Sequence, residues 1–207
     1  RCRMALLQYE WMDRRNREKF DSSKSPLVSM LITISNDCLQ RVGTGIAFCN
    51  LNSKYEIGIL LWDDPERAGA MMEAIHHSIR NSLGMSFDIG MGDVVLFPTQ
   101  LQKSYEQAKK SLRERNLLDF RTKIHVYSTN MGKRATALRF NEFAEVIKAA
   151  LCSGRKEQLA GALQCWFDVL EQMDNLMLAD LELWQNEFNM FIYHCIEDYL
   201  PDEQKDL

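Results

Sequence analysis

The chain has 207 residues, 46% of them hydrophobic and 26% charged, with a formal net charge of −4. That length holds one large domain or two small ones with real cores, and the composition is ordinary for a soluble globular protein. The charge gives no support to a nucleic-acid or membrane surface as the main partner, and no apolar run approaches the roughly 18–20 residues of a membrane span. No secretory apolar segment opens the chain, which starts at Arg1 and reads as an excised segment of a longer protein.

Cys2 to Tyr9 is a mainly apolar run of strand length, ended by the polar stretch Asp13 to Ser25. Within it, Arg14-Arg15-Asn16-Arg17-Glu18-Lys19 is basic but has no interleaved aromatic for base stacking, so a solvated loop is expected rather than a phosphate or DNA contact. Ser25 and Pro26 are suited to a helix cap and first turn. Leu27, Met30, Leu31, Ile34, Cys38 and Leu39 then recur at helical spacing until Gly43 and Gly45. Ile46–Asn50 and Tyr55–Trp62 are expected to pair as a hairpin across Leu51-Asn52-Ser53-Lys54. Asp63-Asp64-Pro65-Glu66 opens a helix with a carboxylate cap, and Gly84 stops it after Leu83.

Met85 to Ile89 reads as a short strand running into Gly90-Met91-Gly92. A dinucleotide cradle would need a third glycine and an immediate helix, and here about eight residues intervene. The two glycines are instead expected to let the chain turn sharply off a sheet. A helix follows from about Leu101 to Arg115, with Leu101, Tyr105, Ala108 and Leu112 on one face. Lys123–Ser128 is the last strand, Thr129–Thr136 a linker.

Beyond the linker the strand signal ends. Three apolar stripes follow: Phe140, Phe143, Val146, Ile147 and Ala150; then Leu159, Leu163, Trp166, Phe167 and Leu170; then Leu183, Trp184, Phe188, Phe191, Ile192 and Cys195. Gly154 separates the first two and Pro201 ends the third, which gives a small unit of three or so helices. The fold class expected is α+β: a mixed-sheet α/β sandwich in the order β-α-β-β-α-β-α-β over residues 1–130, then an all-helical unit over residues 138–207.

Six cysteines show neither a C-x-x-C pair nor close Cys/His spacing, so most are expected to be buried free thiols of a reducing, cytoplasmic location, among them Cys49 and Cys165. His76 and His77 are adjacent and point apart on a helix, and His125 and His194 have no sequence-near carboxylate or thiol partner. No catalytic residue, metal site or cofactor is expected from these residues.

With the element order laid out, the chain resembles a nucleotidyl-cyclase-type fold of the GGDEF superfamily. Ser53-Lys54-Tyr55-Glu56-Ile57, followed by Gly58-Ile59-Leu60-Leu61, aligns with the five-residue signature and its apolar strand. Only Glu56 matches: Ser53 and Lys54 replace the glycines, Tyr55 the Asp and Ile57 the Phe. The first-strand metal ligand of the family falls near Gln8 or Glu10. The signature glycines admit a phosphate to backbone N–H groups, and the carboxylates hold Mg²⁺. Their replacement implies a chain without diguanylate cyclase activity.

Ile89-Gly90-Met91-Gly92, Ser104-Tyr105-Glu106-Gln107-Ala108, Leu112 and Arg115 resemble a recurrent mark of the degenerate GGDEF-like domains of bacterial transcription regulators. Phe140–Tyr199 resembles the helical connector of AraC-type response regulators. The resemblance implies a non-catalytic relay module of a two-component transcription regulator that acts as a homodimer and reaches DNA only through a domain absent from this chain. Trp166, Phe167, Trp184, Phe188 and Phe191 are the candidate docking or dimer surface. The alternative is a small-molecule or nucleotide sensor with a modified pocket, its ligand unknown; no membrane contact is expected.

Overall fold

The opening apolar run forms β1 (Cys2–Gln8), and its continuous apolarity has a structural cause. It is the central strand of a five-stranded sheet and is covered on both faces, so positions of either parity need apolar side chains. The computed structural model describes residues 1–9, 24–42, 44–50, 53, 55–62, 64–129 and 140–199. Glu10, the basic run Arg14–Lys19, Lys54, Asp63 and all but the first residue of the expected linker lie outside the described residues.

Helix α1 (Lys24–Val42) begins ahead of Ser25 and keeps Pro26 in its first turn. Strands β2 (Gly45–Cys49) and β3 (Glu56–Trp62) pair antiparallel as the expected hairpin, with Ala47 opposite Ile59. A single 3-10 turn, Pro65–Arg67, leads into α2 (Ala68–Leu83). Asp64 makes no capping bond; its carboxylate pairs instead with Arg67 Nε at 3.0 Å. That corrects the expected carboxylate cap at the one of the two acids that is described. Gly84, with φ +67°, closes α2 in the left-handed conformation that favours glycine, and its N–H donates to the Arg80 carbonyl.

The next strand, β4, spans Asp88–Met91 rather than Met85–Ile89. Met85 and Phe87 are buried without joining the ladder, so apolarity there marks core filling and not strand. Helix α3 (Leu101–Arg113) and the short β5 (Ile124–Val126) complete the sheet unit. The strand order is β2-β3-β1-β4-β5. Contacts β1–β3, β1–β4 and β2–β3 are antiparallel and β4–β5 is parallel, so the sheet is mixed.

Pleating sends Ala5 and Leu7 of β1 to one face, where they join Ile57, Ile59, Leu61, Ile89 and the buried stripes of α1 and α2. Met4 and Leu6 point to the other face and meet Ala108 and Leu112 of α3, with Leu60, Leu101 and Tyr105 half-buried beside them. Each fully buried Leu or Ile contributes roughly 1.5–3 kcal/mol.

The second unit is helical: α4 (Asn141–Cys152), α5 (Lys156–Glu171) and α6 (Leu178–Tyr199). Its third helix starts earlier than the Leu183 stripe suggests, because Asp180 reaches back to the Met177 N–H (3.0 Å) and fixes the first turn. By contacts, one compact unit comprises Arg1–Arg115 and Asp119–Met131, the other Asn116–Leu118 and Gly132–Leu207. The short piece joins the helical unit through Leu117 N–H to the Leu176 carbonyl (2.6 Å) and Leu176 N–H to Asn116 Oδ1 (3.1 Å). Among the described residues no helix is long and apolar enough to cross a membrane.

Candidate functional site

The Gly-x-Gly of β4 and the Ser-Tyr-x-x-Ala of α3 form one packed joint. Gly90 lies within the strand, and a Cβ there would collide with the Ala108 carbonyl, Leu112 Cγ (2.6 Å) and Ser111 Oγ (2.7 Å). At Gly92 it would strike the backbone of Ser104 and lie 2.7 Å from Ser104 Oγ. Neither glycine has positive φ. The expected sharp turn off the sheet is therefore corrected: the glycines let a helix lie directly on a strand. Ser104, fully buried, accepts from the Met4 N–H (2.9 Å) and donates to the Asp93 carbonyl (2.7 Å), which ties α3 to β1. Gln107 closes the same joint, accepting from the Asp93 N–H and donating to its carboxylate (2.8 Å).

Tyr105, next to Ser104, reaches the aligned signature. Its hydroxyl donates to Glu56 Oε1 (3.0 Å), and Asn50 Nδ2 donates to the same oxygen at 2.7 Å and to the Tyr105 oxygen at 3.2 Å. Burial, with the bond to Glu56 and its negative charge, pushes the Tyr105 hydroxyl up to about 12. Glu56 is itself buried and stands opposite Gln8 of β1. The other described signature positions serve the backbone and the core. Ser53 N–H donates to the Asn50 carbonyl, Tyr55 stacks edge-on with Tyr9 at 5.8 Å, and Ile57 is fully buried.

A Mg²⁺ site of the family type would need open carboxylates at β1 and β3. Among the described residues the matching positions supply the amide of Gln8 and a carboxylate already held by two donors, a set that does not fit that ion. No group of three or more His, Cys, Asp or Glu side chains is placed to hold a metal among the described residues.

The closing Arg115 is nearly fully buried. It donates to the Leu112 carbonyl (2.6 Å) and pairs with Asp88 at 3.4 Å. Asp88 also meets His125 Nε2 at 3.0 Å and Lys123 Nζ at 3.5 Å, so one carboxylate gathers β4, β5 and the end of α3. Burial alone would raise the Asp88 carboxyl, but the His125 bond and the charges of Arg115 and Lys123 together hold it below the usual range. His125 thus gains a carboxylate partner 37 residues away, which no near-sequence spacing could show. His76 is buried against Ser86 Oγ (2.8 Å), and burial lowers its pKa, whereas His77 is exposed.

All six cysteines are free, but Cys2 alone is buried. Cys49 ends edge strand β2, and Cys165 stands one residue, about 100° of helix, from buried Trp166, so both are exposed and the expectation for them is corrected.

The five aromatics of the candidate docking surface divide. Trp166, Trp184 and Phe191 are buried in the helical unit's own core, where Trp166 makes edge contacts with Phe140, Phe143 and Trp184 at 5.1–5.3 Å. Phe167 and Phe188 are exposed, at 49% and 42%. Sequence reasoning missed Glu187, whose carboxylate accepts from the Phe140 N–H (2.8 Å) at the start of α4. No family model matches the chain, and comparison with curated proteins and with solved structures returns no match.

Proposed function

We propose that the chain is a non-catalytic signal-relay module of a bacterial AraC-type two-component transcription regulator. In this reading residues 1–130 are a degenerate GGDEF-like domain, residues 138–207 a helical connector, and DNA is reached only through a domain outside the chain. The observation that carries it is the commitment of Glu56. The one signature carboxylate is buried and held by Asn50 and Tyr105, so it fastens the β2–β3 hairpin to α3 rather than facing a nucleotide. The observed order β-α-β-β-α-β-α-β, with the signature hairpin beside central β1, supports the GGDEF-like part of the reading. The Gly-x-Gly and Ser-Tyr-x-x-Ala mark supports the regulator part, since its residues act as joints between strand and helix rather than as reactive groups.

A relay needs a stiff sheet, a connector and a partner copy, and the exposed Phe167 and Phe188 offer apolar surface for a two-fold contact. Reading the encoding gene outward tests the proposal. A receiver domain ahead of Arg1 and an AraC-type helix-turn-helix after Leu207 are expected; a catalytic or membrane domain in either place would overturn it.

A further inference from the structure

The relay reading leaves unused a groove of about 460 Å³ between α4 and α6. That is the size of small-molecule sites, which in bundles form between helices. Its apolar part is made by Ala144, Phe191, Cys195 and the exposed Met190. Two carboxylates share the lining, Glu145 and Glu187. Glu187 is already oriented by the Phe140 N–H at 2.8 Å and the Asn141 amide at 3.4 Å, and its oxygens keep further acceptor positions. Glu145 is exposed. Lys148, the cation in the lining, is held by Asp198 at 3.0 Å.

The helical unit that forms the groove is acidic overall. Residues 140–199 carry eleven Asp and Glu against three Lys and Arg, a balance of −8, although the whole chain stands at −4. Helix α6 has five acidic residues and no Lys or Arg. An acidic surrounding raises the local concentration of cations, and apolar lining from Ala144, Met190 and Phe191 beside the two carboxylates favours an organic ammonium over a hydrated metal ion.

We propose that this groove binds a small organic cation, an ammonium group carried on an apolar body of benzyl or phenethyl size. The apolar body would lie against Phe191 and Met190 and the ammonium between Glu145 and Glu187. The relay reading does not depend on this site, and either can fail alone. Calorimetric titration of the intact chain at 0.15 M salt with phenethylammonium, 2-phenylethanol and phenylacetate is the test. Phenethylammonium is expected to bind at least tenfold more tightly than the other two. Glu145→Lys, at an exposed position, is expected to weaken it tenfold or more with the melting temperature unchanged. Equal binding of the three probes, no binding of phenethylammonium at millimolar concentration, or indifference to Glu145→Lys would each overturn the proposal.

Discussion

Glu56 is held by the Asn50 amide and the Tyr105 hydroxyl, and Asp88 by His125, Arg115 and Lys123, so both buried-side carboxylates act as fasteners. Tyr105→Phe removes one donor from buried Glu56 and is expected to cost about 1–2 kcal/mol in urea denaturation. The pH dependence has a definite sign. Tyr105 is raised to about 12 in the folded chain, above about 10 for an unfolded tyrosine, so its contribution is full below pH 10 and is lost as pH climbs through 12. The stability gap between the wild type and Tyr105→Phe should therefore close over that window; a gap that stays constant up to pH 12 would contradict the assignment. Asp88 has the opposite sign. Its depressed folded pKa gives stability present above the ordinary carboxylate value, about 3.9, and lost as pH falls through the folded value. Asp88→Asn should flatten the acid limb of the stability curve. At this scale the sequence showed the matched Glu56 and the closing Arg115 but not their partners. Asn50 lies just past the end of β2, Tyr105 reads as one more apolar-stripe residue, and His125 is distant in the chain from Asp88.

Helix α3 sits on β4 because Gly90 and Gly92 carry no side chain, and Ala at either position would drive a methyl group into helix backbone. Each substitution is expected to cost about 1–3 kcal/mol or displace the helix, measured by thermal melting, whereas Gly69→Ala, where a Cβ meets nothing within 4 Å, serves as the tolerated control. The edge of the sheet shows a second device. Ala47 of edge strand β2 has its N–H bound by Asn36 Oδ1 (2.7 Å) and its carbonyl by Asn36 Nδ2 (3.1 Å), so one α1 side chain occupies the strand's outer rim. Asn36→Ala should lose about 1–3 kcal/mol for the two bonds and expose an uncharged edge that associates at high concentration; a variant that stays as stable and as disperse as the parent would contradict this. Element types and order were legible because apolar spacing changes between strand and helix. Boundaries were less so: Met85 and Phe87 are apolar for the core without belonging to β4, and Asp64 turned to Arg67 instead of capping α2.

The charge of the molecule is unevenly divided. Residues 1–139 hold 21 Lys and Arg against 15 Asp and Glu, opposed to the acidic residues 140–199. A homodimer through the helical unit is expected at tens of micromolar in sedimentation, and its affinity should rise between 0.05 M and 0.5 M salt because like charges are then screened. Phe188→Glu should shift the population to monomer, and a parent that is monomeric at both salt concentrations would remove the dimer from the proposal. Trp184→Ala belongs to a different class, since that ring is core and its loss should cost about 3–5 kcal/mol of stability. The aromatic stripes were legible as helix faces, but which ring turned inward depended on how three helices meet.

The most direct test of the account is a turnover assay of the purified chain with GTP and Mg²⁺ or Mn²⁺, read by chromatography for cyclic dinucleotide. The expected result is no product above background in the wild type, with Glu56→Ala altering only the melting temperature. Product formation that Glu56→Ala abolishes would contradict it, since Glu56 would then be a catalytic carboxylate rather than the fastener of the β2–β3 hairpin to α3.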